Sequence, residues 1–109
     1  MPFADAAFNV GRTALLVAAL AVGDVAALAD ATCDRLHQDV RLARAPQSRA
    51  ALDAALAAGA WCGWLSGSGP SIVALCDPAD ATRVAAALPA GGVVKRLTIA
   101  DDGATARSA

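Results

Sequence analysis

The sequence carries no surplus of charge: nine basic and ten acidic side chains leave a net charge of −1 in 109 residues. No basic patch stands out, which argues against nucleic-acid binding by bulk electrostatics. Nor is there a long hydrophobic run. The longest strongly apolar stretch, Ala14 to Val22, is too short to span a bilayer. The N-terminus has no basic region, and Asp5, Asn9 and Arg12 interrupt its apolar pattern, so a secretory signal is not expected. Cysteine is sparse. Cys33, Cys62 and Cys76 cannot all pair within one chain and none has a metal-binding spacing, so buried, reduced thiols in a cytoplasmic protein are expected. The one histidine, His37, has no nucleophile pattern beside it and reads as a hydrogen-bonding residue rather than a general base.

Alanine is what the chain has in quantity, at 31 residues. Small side chains let helices pack closely. A chain of this length makes one domain and buries roughly two-thirds of its unfolded surface.

Apolar periodicity predicts a helix over 5–22, capped by Asp5, with Phe8, Arg12, Leu15, Ala19 and Val22 on one face. Arg12, inside this apolar helix, should pair with a carboxylate or with backbone carbonyls, and Asn9 should hydrogen-bond across the same layer. Gly23 ends the helix and Asp24 caps a second, running to Leu36 with Val25, Leu28, Cys33 and Leu36 inward. His37 to Pro46 reads as an irregular basic connection carrying Arg41 and Arg44. A third helix spans Gln47 to Ala58 and stops at Gly59. Trp61–Leu65 and Ile72–Cys76 read as short buried strands, with Trp61 and Trp64 on opposite sides of the sheet. Asp77-Pro78 starts a helix to Leu88, Val93–Ile99 alternates as a strand, and residues 101–109 form a polar tail after a domain over 1–100. This order predicts an α+β domain, a small, mostly antiparallel sheet with helices on one face.

The most informative stretch is Leu65 to Leu75, which sets Ser66, Gly67, Ser68, Gly69 and Pro70 between two apolar runs. It offers hydroxyls and backbone N–H groups with no bulky side chain, so a ligand or another backbone can come close. It is not a phosphate-binding P-loop, because no Gly-Lys-Ser/Thr follows. It is not a dinucleotide fingerprint either, because no third glycine follows and the segment leads into a strand. Taken alone, the stretch reads first as a hairpin whose glycines serve only turn geometry.

Three segments together resemble the C-terminal part of homoserine kinase, within the GHMP small-molecule kinases. They are Asp5–Leu16, Asp34–Arg41 (the pattern D-x-L-H-Q-x-x-R) and Leu65–Leu75. The likeness extends over about residues 2–99. It implies a ferredoxin-like α+β domain and transfer of the ATP γ-phosphate to the hydroxyl of L-homoserine, in threonine biosynthesis. It implies that Arg41 binds the homoserine carboxylate and that Gly67 approaches the substrate, with Ser66, Ser68 and Gly69 supporting the loop. No catalytic residue and no metal ligand is carried over. ATP and Mg²⁺ serve the family, but the loop that cradles their phosphates has no counterpart here. The chain is therefore expected to be inactive alone and to need an N-terminal kinase domain or partner chain, with a homo-oligomer also open. Whether Met1 is an internal start, or the chain a reduced copy of a longer gene, stays open. So do three other readings: a non-catalytic binding or interaction module, an amino-acid-binding regulatory domain, and a fragment of another GHMP kinase.

Overall fold

The computed structural model describes residues 2–108. Helix α1 runs Phe3–Val22, α2 Leu28–Ala31, α3 Gln38–Ala43 and α4 Pro46–Ala57; β1 spans Cys62–Leu65, β2 Ile72–Leu75, and α5 Ala81–Ala87. The class is α+β, as expected. β1 and β2 pair antiparallel, Cys62 opposite Leu75 and Leu65 opposite Ile72.

The local signals explain most boundaries. Gly23 closes α1 at φ 73°, and its N–H returns to Ala19 O. That left-handed turn favours glycine. Asp24 accepts from the Ala27 N–H and starts a short 3₁₀ turn, and Asp77 does the same for Ala79 ahead of α5. Asp5 is not the cap of α1. The helix begins two residues earlier, after Pro2, and Asp5 sits in the first turn, where negative charge still favours the N-terminus.

The expected helix to Leu36 stops at Ala31. The Thr32 hydroxyl donates back to Leu28 O and Ala29 O, and Cys33 Sγ donates to Ala29 O. These side chains occupy the last carbonyls and let the backbone leave the helix. Leu36 ends up exposed rather than inward, and Cys33 is likewise exposed. Cys62 is buried, and that burial pushes its thiol pKa up, against hydrogen bonds with Thr32 and the Leu75 backbone.

Two small cores flank the ribbon. Cys62 packs with Ala19 and Leu28, joined by Trp61, Trp64 and Leu75. Leu65 packs with Leu42 and Leu52, joined by Ile72. Side chains alternate along a strand, so these sets lie on opposite faces. The helices accordingly divide between the two faces, α1 and α2 against one, α3 and α4 against the other. Trp61 lies just before β1, outside the strand alternation, and therefore reaches the same cluster as Trp64. Gly63 gives Leu52 room beneath the ribbon: a Cβ there would come within 2.6 Å of Leu52 Cδ1 and 3.0 Å of Val73 O, so the leucine side chain would have to shift.

Among the described residues Arg12 pairs with neither a carboxylate nor a carbonyl. Its guanidinium lies 4.5 Å from the centre of the Phe8 ring, and Arg35 lies 3.8 Å from it. Residues 93–99 are not a strand. They are irregular and exposed, with no partner strand among the described residues.

Candidate functional site

The sequence suggests an irregular connection at His37–Pro46, yet the structure forms α3 there. Asp34 is the cause. Its Oδ2 accepts the N–H groups of Leu36, His37 and Gln38 at 3.0, 2.8 and 2.8 Å. One carboxylate thus satisfies the N–H of Gln38, the first residue of α3, and those of the two residues that lead into it. Asn9 of α1 holds the other oxygen at 2.7 Å, and its own Oδ1 accepts the Arg35 N–H. Burial pushes the Asp34 pKa up, but these hydrogen bonds outweigh it and hold the carboxyl below its ordinary value.

One helical turn later, Gln38 Oε1 accepts the Leu65 N–H at 2.9 Å. This ties α3 to the last residue of β1, where the Ser-Gly loop begins. The loop is closed by its own backbone: Ser66 N–H donates to Ser71 O and Gly69 N–H to Ser66 O. Gly67 and Gly69 have φ of 55° and 85°, and the Gly69–Pro70 peptide is cis. Ser48, buried on α4, donates its hydroxyl to Pro70 O. The far side of the loop is therefore pinned to the core.

Between α3 and this loop lies an open cavity of about 510 Å³, bordered by His37, Arg41, Arg44, Ser68, Gly69 and Pro70 among others. Its size suits a small molecule. Arg41, Ser68 and Gly69, which the sequence singles out, meet here. Ser66 and Gly67 do not border it; Ser66 closes the loop, and a Cβ on Gly67 would meet open space. Arg44 and His37 border the cavity without having been singled out as ligand groups. Ser48 and Gln38 hold its walls. Arg44 was visible only as a second basic residue of the connection that carries Arg41, and nothing local marked Ser48.

The electrostatics have one sign. Two guanidinium groups and a half-exposed imidazole border the cavity, and among the described residues no carboxylate does. Asp39, in the first turn of α3, is instead held by Arg49 at 3.0 Å. Such a site suits a carboxylate or phosphate, which a planar guanidinium grips through two hydrogen bonds. It does not suit Mg²⁺, which requires oxygen ligands. Among the described residues no three His, Cys, Asp or Glu side chains converge as a metal site.

Comparison with known proteins gives this geometry a family context. The model of the GHMP kinases C-terminal domain matches residues 16–94. A homoserine kinase of Gloeobacter violaceus is 49% identical over 89 residues, which is 80% of this chain and 30% of that protein. A homoserine kinase of Moorella thermoacetica is 41% identical over 106 residues, 92% of this chain and 36% of that one. A crystal structure of homoserine kinase from Cytophaga hutchinsonii superposes with a TM-score of 0.74 at 30% identity, covering 81% of this chain and 28% of its own. The chain thus spans about a third of the length of the curated relatives it matches.

Proposed function

The chain belongs to the GHMP kinase family as its C-terminal domain, and from that premise we propose that it forms the substrate wall of a homoserine kinase. The reaction is transfer of the ATP γ-phosphate to the hydroxyl of L-homoserine, a step of threonine biosynthesis in the cytoplasm. One observation carries the reading: a cationic cavity bounded by Arg41 on α3 and by the Ser68–Gly69 loop. In this reading Arg41 grips the substrate carboxylate and fixes the distance from it to the hydroxyl. Gly67 keeps the loop in its left-handed turn, so that the substrate can approach backbone N–H groups. Ser66, Ser68 and Gly69 hold that shape.

Phosphoryl transfer rests on positioning and on neutralising charge. This chain's residues supply the first for the amino acid. ATP and Mg²⁺ are bound by polypeptide outside these 109 residues, which supplies the second. An N-terminal kinase domain or partner chain packs on the open apolar face of α1, where Val10, Val17 and Leu20 are exposed.

Mixing the purified chain with ATP, Mg²⁺ and L-homoserine tests this directly. No homoserine phosphate is expected from the chain alone. Joined to the preceding part of the Gloeobacter violaceus kinase, it should give activity that Arg41→Met lowers through a raised KM. Product from the isolated chain would sink the two-part reading. Full activity in Arg41→Met would remove Arg41 from the site.

A further inference from the structure

The α3 wall of the cavity carries more positive charge than the proposed substrate needs. His37, Arg41 and Arg44 border the cavity at spacings of four and three residues, so they fall along one side of the helix. Arg41 and Arg44 are about 4.5 Å apart along its axis, at about 1.5 Å per residue. Other arginines of the chain are matched: Arg49 pairs with Asp39 and Asp53, Arg83 with Asp80, and Arg12 and Arg35 with the Phe8 ring. Among the described residues neither Arg41 nor Arg44 has a carboxylate partner. Asp34 does not neutralise them. Its oxygens accept from Asn9 and from three backbone N–H groups, and the basic side chain beside it is His37, at 4.0 Å.

The loop side of the cavity adds donors and no negative charge. Ser68, Gly69 and Pro70 border it there. Gly69 N–H donates to Ser66 O, but among the described residues neither the Ser68 N–H nor its hydroxyl has a partner. Leu36, Val40 and Pro70 supply apolar contact for a short carbon chain. A zwitterionic amino acid brings one carboxylate, and one guanidinium satisfies it through two hydrogen bonds. Arg44 and Ser68 are then left without an anion between them.

We propose that Arg44 and Ser68 form a phosphate subsite beside the carboxylate contact at Arg41, so that the cavity takes a small molecule carrying a carboxylate and a phosphate monoester a few bonds apart. The proposal rests on the kinase reading above, whose product, homoserine phosphate, is such a molecule. Its phosphate carries a charge of about −1.5 to −2 at neutral pH. With the carboxylate it matches two guanidinium groups about one helical turn apart, whereas the substrate leaves Arg44 unused. The domain therefore holds product more tightly than substrate, and product competes with incoming homoserine. Arg44 lies three residues beyond the Asp34–Arg41 pattern, so nothing in that pattern assigns it a role.

Calorimetric titration of the chain, in low-salt buffer free of phosphate, tests this with three probes. They are L-homoserine, O-phospho-L-homoserine, and phosphoethanolamine, which has the phosphate and ammonium groups but no carboxylate. O-Phospho-L-homoserine should bind at least about tenfold more tightly than L-homoserine. Arg44→Gln should remove that preference and Ser68→Ala should reduce it. Both residues are exposed, so the thermal midpoint of unfolding should not move in either variant. Equal affinity for the two amino acids, or no binding of the phosphorylated one, overturns the proposal. So does a preference kept in Arg44→Gln, which would make Arg44 a charge serving only the helix end. The kinase reading fails separately. Phosphoethanolamine binding as tightly as O-phospho-L-homoserine, with no effect of Arg41→Gln, rejects the carboxylate contact and leaves the phosphate subsite standing. Homoserine binding that needs Arg41, with no gain from the phosphate, rejects the subsite alone.

Discussion

β2 and residues 93–99 are both short segments rich in strand-forming residues, yet one is a strand and the other is not. Ile72–Leu75 has β1 beside it and cores on both faces. Val93–Ile99 is tied to α5 by a side-chain hydrogen bond from Arg96 and is exposed along its length. Strand propensity describes a side chain's fit to a half-buried pleated surface, not a backbone preference that acts alone. The difference lies in the neighbours, and substitutions can measure it.

The same leucine-to-alanine change should give the largest contrast. Leu52→Ala, beneath the ribbon and 3% exposed, should cost about 2–5 kcal/mol in denaturant unfolding. Leu97→Ala should cost less than about 0.5 kcal/mol. Equal costs would mean that 93–99 is packed in solution and would remove the contrast.

Next comes the site beside the ordered hairpin. In an active two-part enzyme Arg41→Lys should raise the KM for homoserine about 10- to 100-fold, equivalent to about 1.4–2.7 kcal/mol. Its effect on the unfolding of the isolated chain should be within about 0.5 kcal/mol, because Arg41 is exposed. A large loss of stability would make it part of the scaffold instead.

Asp34→Ala should cost about 1–2 kcal/mol, since it leaves the first N–H of α3 and the two that precede it without their acceptor. The folded-state pKa of Asp34 is lowered, so its contribution is fully present above the unfolded value and is lost as pH falls through the folded one. Wild type should therefore lose stability below about pH 4, and the variant should lose less over the same range. Parallel pH curves would show that the carboxylate is not what holds α3.

The smallest effect is expected at Gly67. A Cβ there meets nothing, so Gly67→Ala should cost only about 1 kcal/mol, from the left-handed backbone, in thermal unfolding. A larger cost would mean that the loop is packed more tightly than its open surroundings indicate.

The elements with local causes were legible in the sequence. Gly23 and Asp24, Gly59, and Asp77-Pro78 mark their helix ends by short-range chemistry, and the Gly-Ser loop between two apolar runs marks the hairpin. Asp34 to Arg41 was legible as a motif but not as a helix. The acceptor that starts α3 lies four residues ahead of it and is oriented by Asn9, which is 25 residues distant in sequence. Arg41 and the loop were both visible as candidates. Their meeting across one cavity was not, because Gln38 and Ser48 bring the walls together through bonds spanning 27 and 22 residues.

What the sequence determined by itself is therefore the set of turns, caps and apolar runs, and with them an α+β domain of the GHMP kinase type. Each depends on interactions within a few residues. The tertiary structure alone decided which runs became strands, which face each helix covers, and that Arg44 and His37 share a cavity with Arg41. Those outcomes depend on neighbours far away in the chain. A backbone amide or an apolar face finds its state only when something stands opposite it.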